Sequence, residues 1–213
     1  MRKVLFLSIL LVLMSCSNDT KSKNPTETDN STDDFLIIPG KSVGRITATT
    51  TEAELQEMFG ADKMKIQSIP IAEGDTQEGV VLYPNTSNEI EIIWETAASQ
   101  GTPAFIRIGK DSTAWKTQEG ITIGTPLEEL EAINGRPFTF NGFEWDYGGL
   151  VTNWNGGKLR DNLIIALVPQ NFEVMSQTFV GDNVQLSSDD PKVRALQPRV
   201  GSMVITFNRK EAQ

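Results

Sequence analysis

The 213-residue chain contains no histidine. That absence removes imidazole as general acid, general base or metal ligand, and with it the Ser-His-Asp and Cys-His nucleophile systems. Cys16 is the single cysteine, so no disulfide can form within the chain, and the fold must stand without staples. No Gly-x-Ser-x-Gly elbow, phosphate loop or dinucleotide-binding glycine pattern occurs, and Gly148-Gly149 and Gly156-Gly157 read as turns. Asp33-Asp34 and Asp189-Asp190 lack the spacing of a calcium loop. The sequence therefore calls for no cofactor and no metal. Positive charge is also scarce: 19 Lys and Arg stand against 28 Asp and Glu, a formal charge of −9. An acidic surface repels phosphate backbones, so nucleic acid is not an expected partner. Catalysis would have to rest on carboxylates, as in a glycosidase. Glu144 and Asp146 are the nearest such pair, but same-face carboxylates on a strand also describe a solvated surface.

What is present begins with a processing signal. Met1-Arg2-Lys3 precedes an apolar run from Val4 to Met14 broken only by Ser8. The run is shorter than the roughly 20 residues that span a bilayer, so residues 1–15 read as a signal peptide. Leu13-Met14-Ser15-Cys16 resembles the bacterial lipobox: an aliphatic residue, a tolerant position, a small residue and the obligatory cysteine. The resemblance implies cleavage before Cys16, a diacylglyceryl thioether on its sulfur, and the membrane as a partner through that lipid. At about 0.8 kcal/mol per buried CH₂, two or three acyl chains anchor stably. Ser17 follows where an aspartate would resemble an inner-membrane retention signal, so the outer membrane is the expected location, on its periplasmic or its surface side. Residues 16–34 are Ser, Asn, Asp, Thr, Lys, Pro and Glu after the cysteine. They are too polar to offset their ordering entropy and are expected to be a disordered tether with a reach of about 60 Å.

The rest carries an internal echo. Residues 46–60 can be laid on residues 121–135 at a constant offset, so that Leu55 meets Leu130, Met58 meets Ile133 and Gly60 meets Gly135. Ile90-Glu91-Ile92-Ile93 falls on Ile165-Ala166-Leu167-Val168 at the same offset. Two separated matches at one offset point to duplication. The expected fold is α+β: two tandem helix-plus-antiparallel-sheet units, residues 35–112 and 113–213, with helices packed on a sheet and an insertion at 169–198. In the second helix Thr125 is the predicted N-cap, Pro126 the first helical residue and Glu128 the partner in a capping box. Gly135 is predicted to end it in a left-handed cap, with Pro137 blocking continuation. Expected strands include Val43–Ala48, Gly120–Ile123 and an alternating stretch Phe143, Trp145, Tyr147. Asn155-Gly156-Gly157 is expected to join a hairpin between Leu150–Trp154 and a strand reaching Val168. A short helix capped near Ser188 is predicted within the insertion.

The stretch Gly124-Thr125-Pro126-Leu127 to Asn134-Gly135-Arg136-Pro137 resembles a motif of bacterial envelope proteins. The small-protein-A-type outer-membrane assembly lipoproteins carry it once. The beta-lactamase inhibitory proteins carry a similar unit twice. The resemblance implies a bacteroidetes-like envelope lipoprotein built as a tandem unit, and it brings no catalytic residue. Departures are Asn134 in an aliphatic position, Thr49 for the opening glycine of the first copy and Asp62 for its closing proline. Binding candidates come from the aromatic cluster of Phe138, Phe140, Phe143, Trp145, Tyr147 and Trp154. Alternation with Glu144 and Asp146 assigns Phe143 and Trp145 to the core, leaving Tyr147 and Trp154 as candidate partner-binding residues. The expectation is a membrane-anchored, non-catalytic protein-binding or envelope-assembly module whose partner is another envelope protein. The alternative is a carboxylate-dependent hydrolase of envelope glycans, distinguished by two acids about 5–10 Å apart in a cleft.

Overall fold

The computed structural model describes residues 34–72, 74–95 and 101–208. The predicted signal peptide, Cys16 and the predicted tether up to residue 33 lie outside them. In chain order come β1 (Leu36–Ile38), β2 (Ser42–Val43), β3 (Ile46–Thr47), α1 (Glu52–Phe59), β4 (Met64–Ala72), β5 (Asp75–Leu82), β6 (Ile90–Trp94), β7 (Pro103–Ile108) and β8 (Lys116–Thr117). There follow α2 (Leu127–Asn134), β9 (Thr139–Asn141), β10 (Val151–Asn153), β11 (Leu163–Val168), β12 (Gln185–Ser187), α3 (Pro191–Arg194) and β13 (Arg199–Thr206). The class is α+β, with strands in the majority. A six-stranded antiparallel sheet runs β11-β13-β7-β6-β5-β4; smaller sheets run β3-β2-β1-β8 and β10-β9-β12.

One face of the large sheet makes the core. Side chains alternate across a strand, and the register carries this through six strands: Met64, Leu82, Ile90, Ile108, Met203 and Ile165 form one cross-strand row. All but Met64 in that row are buried. Leu55 and Phe59 of α1, with Leu127 and Leu130 of α2, belong to the same hydrophobic cluster. Each such side chain contributes roughly 1.5–3 kcal/mol by leaving water.

The two helices repeat one another in detail. They begin at Glu52 and Leu127 and end at Phe59 and Asn134, 75 positions apart at both ends (127 − 52; 134 − 59). Ahead of each, a backbone N–H donates to a threonine hydroxyl three residues on: Thr47 N to Thr50 Oγ1 and Thr122 N to Thr125 Oγ1, both 2.9 Å. The first helical turns match as well, Leu55 N to Thr51 O and Leu130 N to Pro126 O, both 3.0 Å. So do the ends, Gly60 N to Gln56 O and Gly135 N to Glu131 O, at 2.9 and 2.8 Å. Leu55 and Leu130 are fully buried, as are Ile46 and Ile121.

Several local expectations require correction. The capping box sits on the first helix, where Thr51 and Glu54 bond reciprocally. In the second, the N-cap is Pro126, which has no side-chain donor or acceptor, and Thr125 spends its hydroxyl one turn earlier. Gly135 is left-handed, with φ 77° and ψ 5°. Gly44, at φ 54°, breaks the expected strand Val43–Ala48 into the β2–β3 hairpin, and residues 120–123 form no strand. Asn155 and Gly156 do turn, with φ 52° and 70°, but β10 pairs with β9 and not with β11. Residues 143–147 form a loop, because Glu144 adopts φ 62° and destroys the alternation. The short helix expected near Ser188 is α3, and its cap is Asp190, whose side chain accepts from Lys192 N. Asn134 is buried where an aliphatic residue was expected, and it is satisfied: its side chain bonds Arg136 O, Trp154 O and Leu159 N at 2.9–3.2 Å.

Candidate functional site

No helix among the described residues packs on the second face of the six-stranded sheet. Its central row reads Lys65, Val81, Glu91, Arg107, Val204, Ile164, each the cross-strand partner of the next. Two connections rise from this face and turn it into a groove.

The first is the β4–β5 hairpin. Its strands have 9 and 8 residues against 5 and 6 in β6 and β7, so its outer half overhangs. The register slips between Pro70 and Ala72, and such irregularities increase local twist. The overhang is fastened in place. Ile69, Val81 and Ile93 are buried together with Phe105 packed on them. The Arg107 guanidinium donates to Pro70 O at 2.5 Å and pairs with Glu91 at 3.2 Å, and Gln77 donates its side-chain amide to Trp94 O.

The second is the loop between β9 and β10. Asn141 donates its side-chain N–H to Tyr147 O at 3.1 Å, Gly148 N bonds Trp145 O at 2.8 Å, and the Trp145 indole N–H bonds Gly142 O at 2.8 Å. Gly149 has φ 71°, and a Cβ there would lie 1.9 Å from Leu167 O, so only glycine fits. These bonds hold the Trp145 and Tyr147 rings edge to face, 5.4 Å apart at 69°.

Between hairpin and loop lies an open groove of about 430 Å³ with Phe105, Ile164, Ala166, Val204 and Ser202 in its lining and Ile71 and Tyr147 on its sides. A continuation of about 270 Å³ passes beside Pro70 and Ala72 and shares Arg107, Asp146 and Tyr147. Among the described residues Asp146 is the one carboxylate lining either part. Among the described residues no cluster of three or more Cys, Asp or Glu side chains is placed to hold a metal, and no helix is long and apolar enough to cross a membrane.

No family model, curated protein or solved structure matches this chain. The two sequence-derived candidates separate. Tyr147 is 53 % exposed on the groove wall. Trp154 is only 8 % exposed and packs on Phe138 with ring centroids 5.1 Å apart. That burial takes Trp154 out of reach of any partner, and its role is to extend the Phe138–Phe140–Phe143 stack. Trp145, expected in the core, is half-buried on the loop. The groove residues Phe105, Arg107, Ile164 and Val204 were not singled out from sequence. They come from three strands far apart in the chain, and the signal that could have flagged them is the alternation of Phe105 and Arg107 with buried Ile106 and Ile108.

Proposed function

We propose that this chain is a membrane-anchored lipoprotein, held at the outer membrane by lipid on Cys16, and that it acts as a non-catalytic protein-binding or envelope-assembly module through the open face of its large sheet. The observation that carries the reading is the groove itself: an apolar floor, two fastened walls and an exposed aromatic. Exposed aromatics beside apolar surface are where interfaces concentrate their energy, and a lipid tether raises local concentration near membrane-bound partners. The constant offset between the helices and between their preceding threonine turns supports the tandem origin of the segments 35–112 and 113–213. The hydrolase alternative needs a facing pair of acids in a cleft. Here, among the described residues, Asp146 is the single acid in the groove lining, and Glu91 on the same face is engaged by Arg107.

Two experiments test the proposal. Labelling with a fatty-acid analogue should mark the wild type and spare Cys16→Ala; label retained by the variant overturns the anchor. A photoreactive residue placed at Tyr147 or Ser202 in the native host should crosslink one discrete envelope protein, and the same group at exposed Lys192 should not. Adducts from Lys192 with none from the groove positions would move the binding surface elsewhere. Tyr147→Ala should lower crosslinking from Ser202 while its melting temperature stays near wild type.

A further inference from the structure

We propose that the groove recognises a cationic side chain, lysine or arginine, presented by the partner protein next to an aliphatic residue; this rests on the open face being the binding surface. The charge accounting favours a cation. Arg107 is committed to Glu91 and Pro70 O, so its charge is locally balanced. Asp146 is exposed, lines both parts of the groove, and takes part in no ion pair or hydrogen bond among the described residues. An unpaired carboxylate on a groove wall is an open valence for a cation. Tyr147, its neighbour, presents an exposed ring beside the same space, and a guanidinium or ammonium over an aromatic face is held by the ring quadrupole. The ring is already immobilised by Trp145 and the loop by Asn141, Gly148 and Gly149, so little ordering entropy remains to be lost on binding. The apolar floor of Phe105, Ile164 and Val204 accepts the aliphatic neighbour and the methylene stem of the cation. The acidic balance of the whole chain adds steering of the same sign.

The test uses the full chain and three synthetic probes, Ac-Leu-Arg-Val-NH₂, the citrulline analogue that keeps shape without charge, and the glutamate analogue. Titration is followed by NMR at the Trp145 indole N–H and the Tyr147 ring. The arginine peptide should shift both signals, and the citrulline and glutamate peptides should shift them much less. Asp146→Asn should weaken the arginine peptide about fivefold, the upper end for one exposed ion pair, and added salt should weaken the wild type toward the variant. No shift at either signal with the arginine peptide overturns the proposal. Equal binding of the citrulline peptide also overturns it, yet leaves the groove as a binding surface. Loss of groove crosslinks in the host is the separate result that removes the surface.

Discussion

The two halves of the molecule begin alike and then diverge. Each runs threonine turn, two-turn helix, glycine stop and then strands. In the first half β4, β5, β6 and β7 pair in succession within one sheet. In the second, β9 and β10 leave to form a small sheet with β12, and only β11 and β13 join the large one. Among the described residues the backbones of the two sheets are joined by a bridge of Leu150 with Ala166 and by Leu167 N donating to Gly149 O at 2.9 Å. The divergence begins at one connection. Strands β4 and β9 start 75 positions apart (139 − 64). Yet β4 ends at Ala72 and β5 begins at Asp75, whereas β9 reaches β10 through residues 142–150. The short turn makes a long overhanging hairpin, and the long loop makes an aromatic rim. Connections at corresponding positions of the two halves supply the two opposite walls of the groove.

Breaking that difference at its origin should have the largest effect. Gly149→Ala places a methyl group on the Leu167 carbonyl in a left-handed conformation and should cost about 4 kcal/mol or more, read as a lowered denaturant midpoint. Gly74 also has positive φ, but nothing lies within 4 Å of its Cβ position. Gly74→Ala should therefore cost only about 1 kcal/mol. Equal losses for the two variants would mean that the tight approach at Gly149 is not what bends the second half away.

The shared part of the halves is tested next. Leu55→Ala and Leu130→Ala each empty a fully buried site beneath a helix and should each cost about 2–5 kcal/mol, within about 1 kcal/mol of one another. A large inequality in chemical denaturation would show that the two helices carry different shares of the core despite their common geometry.

How much of this was legible in the sequence follows the range of the interactions. The helices, their stops and the strand Ile90–Trp94 depend on contacts three or four residues apart or on local apolar runs, and periodicity exposes them. The pairing partner of β10 depends on β9 and β12, residues 139–141 and 185–187, and the turn at Asn155-Gly156 carries no information about them. The alternation of Phe143, Trp145 and Tyr147 misled because one backbone torsion, Glu144 at φ 62°, rotates the chain out of extension. Tyr147 was kept as a candidate because the alternating reading placed it at the margin of the core, beyond Phe143 and Trp145. Arg107 was not, since its importance arises from Glu91 on the next strand and Pro70 on the overhanging hairpin.

Helix starts offer a smaller contrast. Thr51→Ala removes a complete capping box and should cost about 0.5–2 kcal/mol. Thr125→Ala removes the buried acceptor for Thr122 N and should cost about 1 kcal/mol through an unsatisfied donor, while Thr125→Ser should restore it. A full loss in the serine variant would place the threonine's contribution in its methyl packing instead.

The smallest effect belongs to Glu54, and its sign can be worked out. The Thr51 backbone N–H donates to the Glu54 carboxylate at 2.8 Å, and the Thr51 hydroxyl adds a second bond at 3.0 Å. Both favour the ionised form, so the folded carboxyl titrates below the ordinary glutamate value, the backbone bond being the larger cause. A carboxyl lowered on folding stabilises the native state above its unfolded value and loses that contribution as pH falls through the folded one. Glu54→Gln should therefore melt below wild type at neutral pH, and the gap should close as pH drops from about 5 to 3. Because the carboxyl is fully exposed, the gap should be small and reduced by salt. Thr51→Val supplies the control: without the hydroxyl the backbone bond remains, so the pH dependence should shrink and not vanish. A Glu54→Gln gap that stays constant across this range would show that the charge of Glu54 contributes nothing, and that the capping box stabilises the first helix by neutral hydrogen bonding alone.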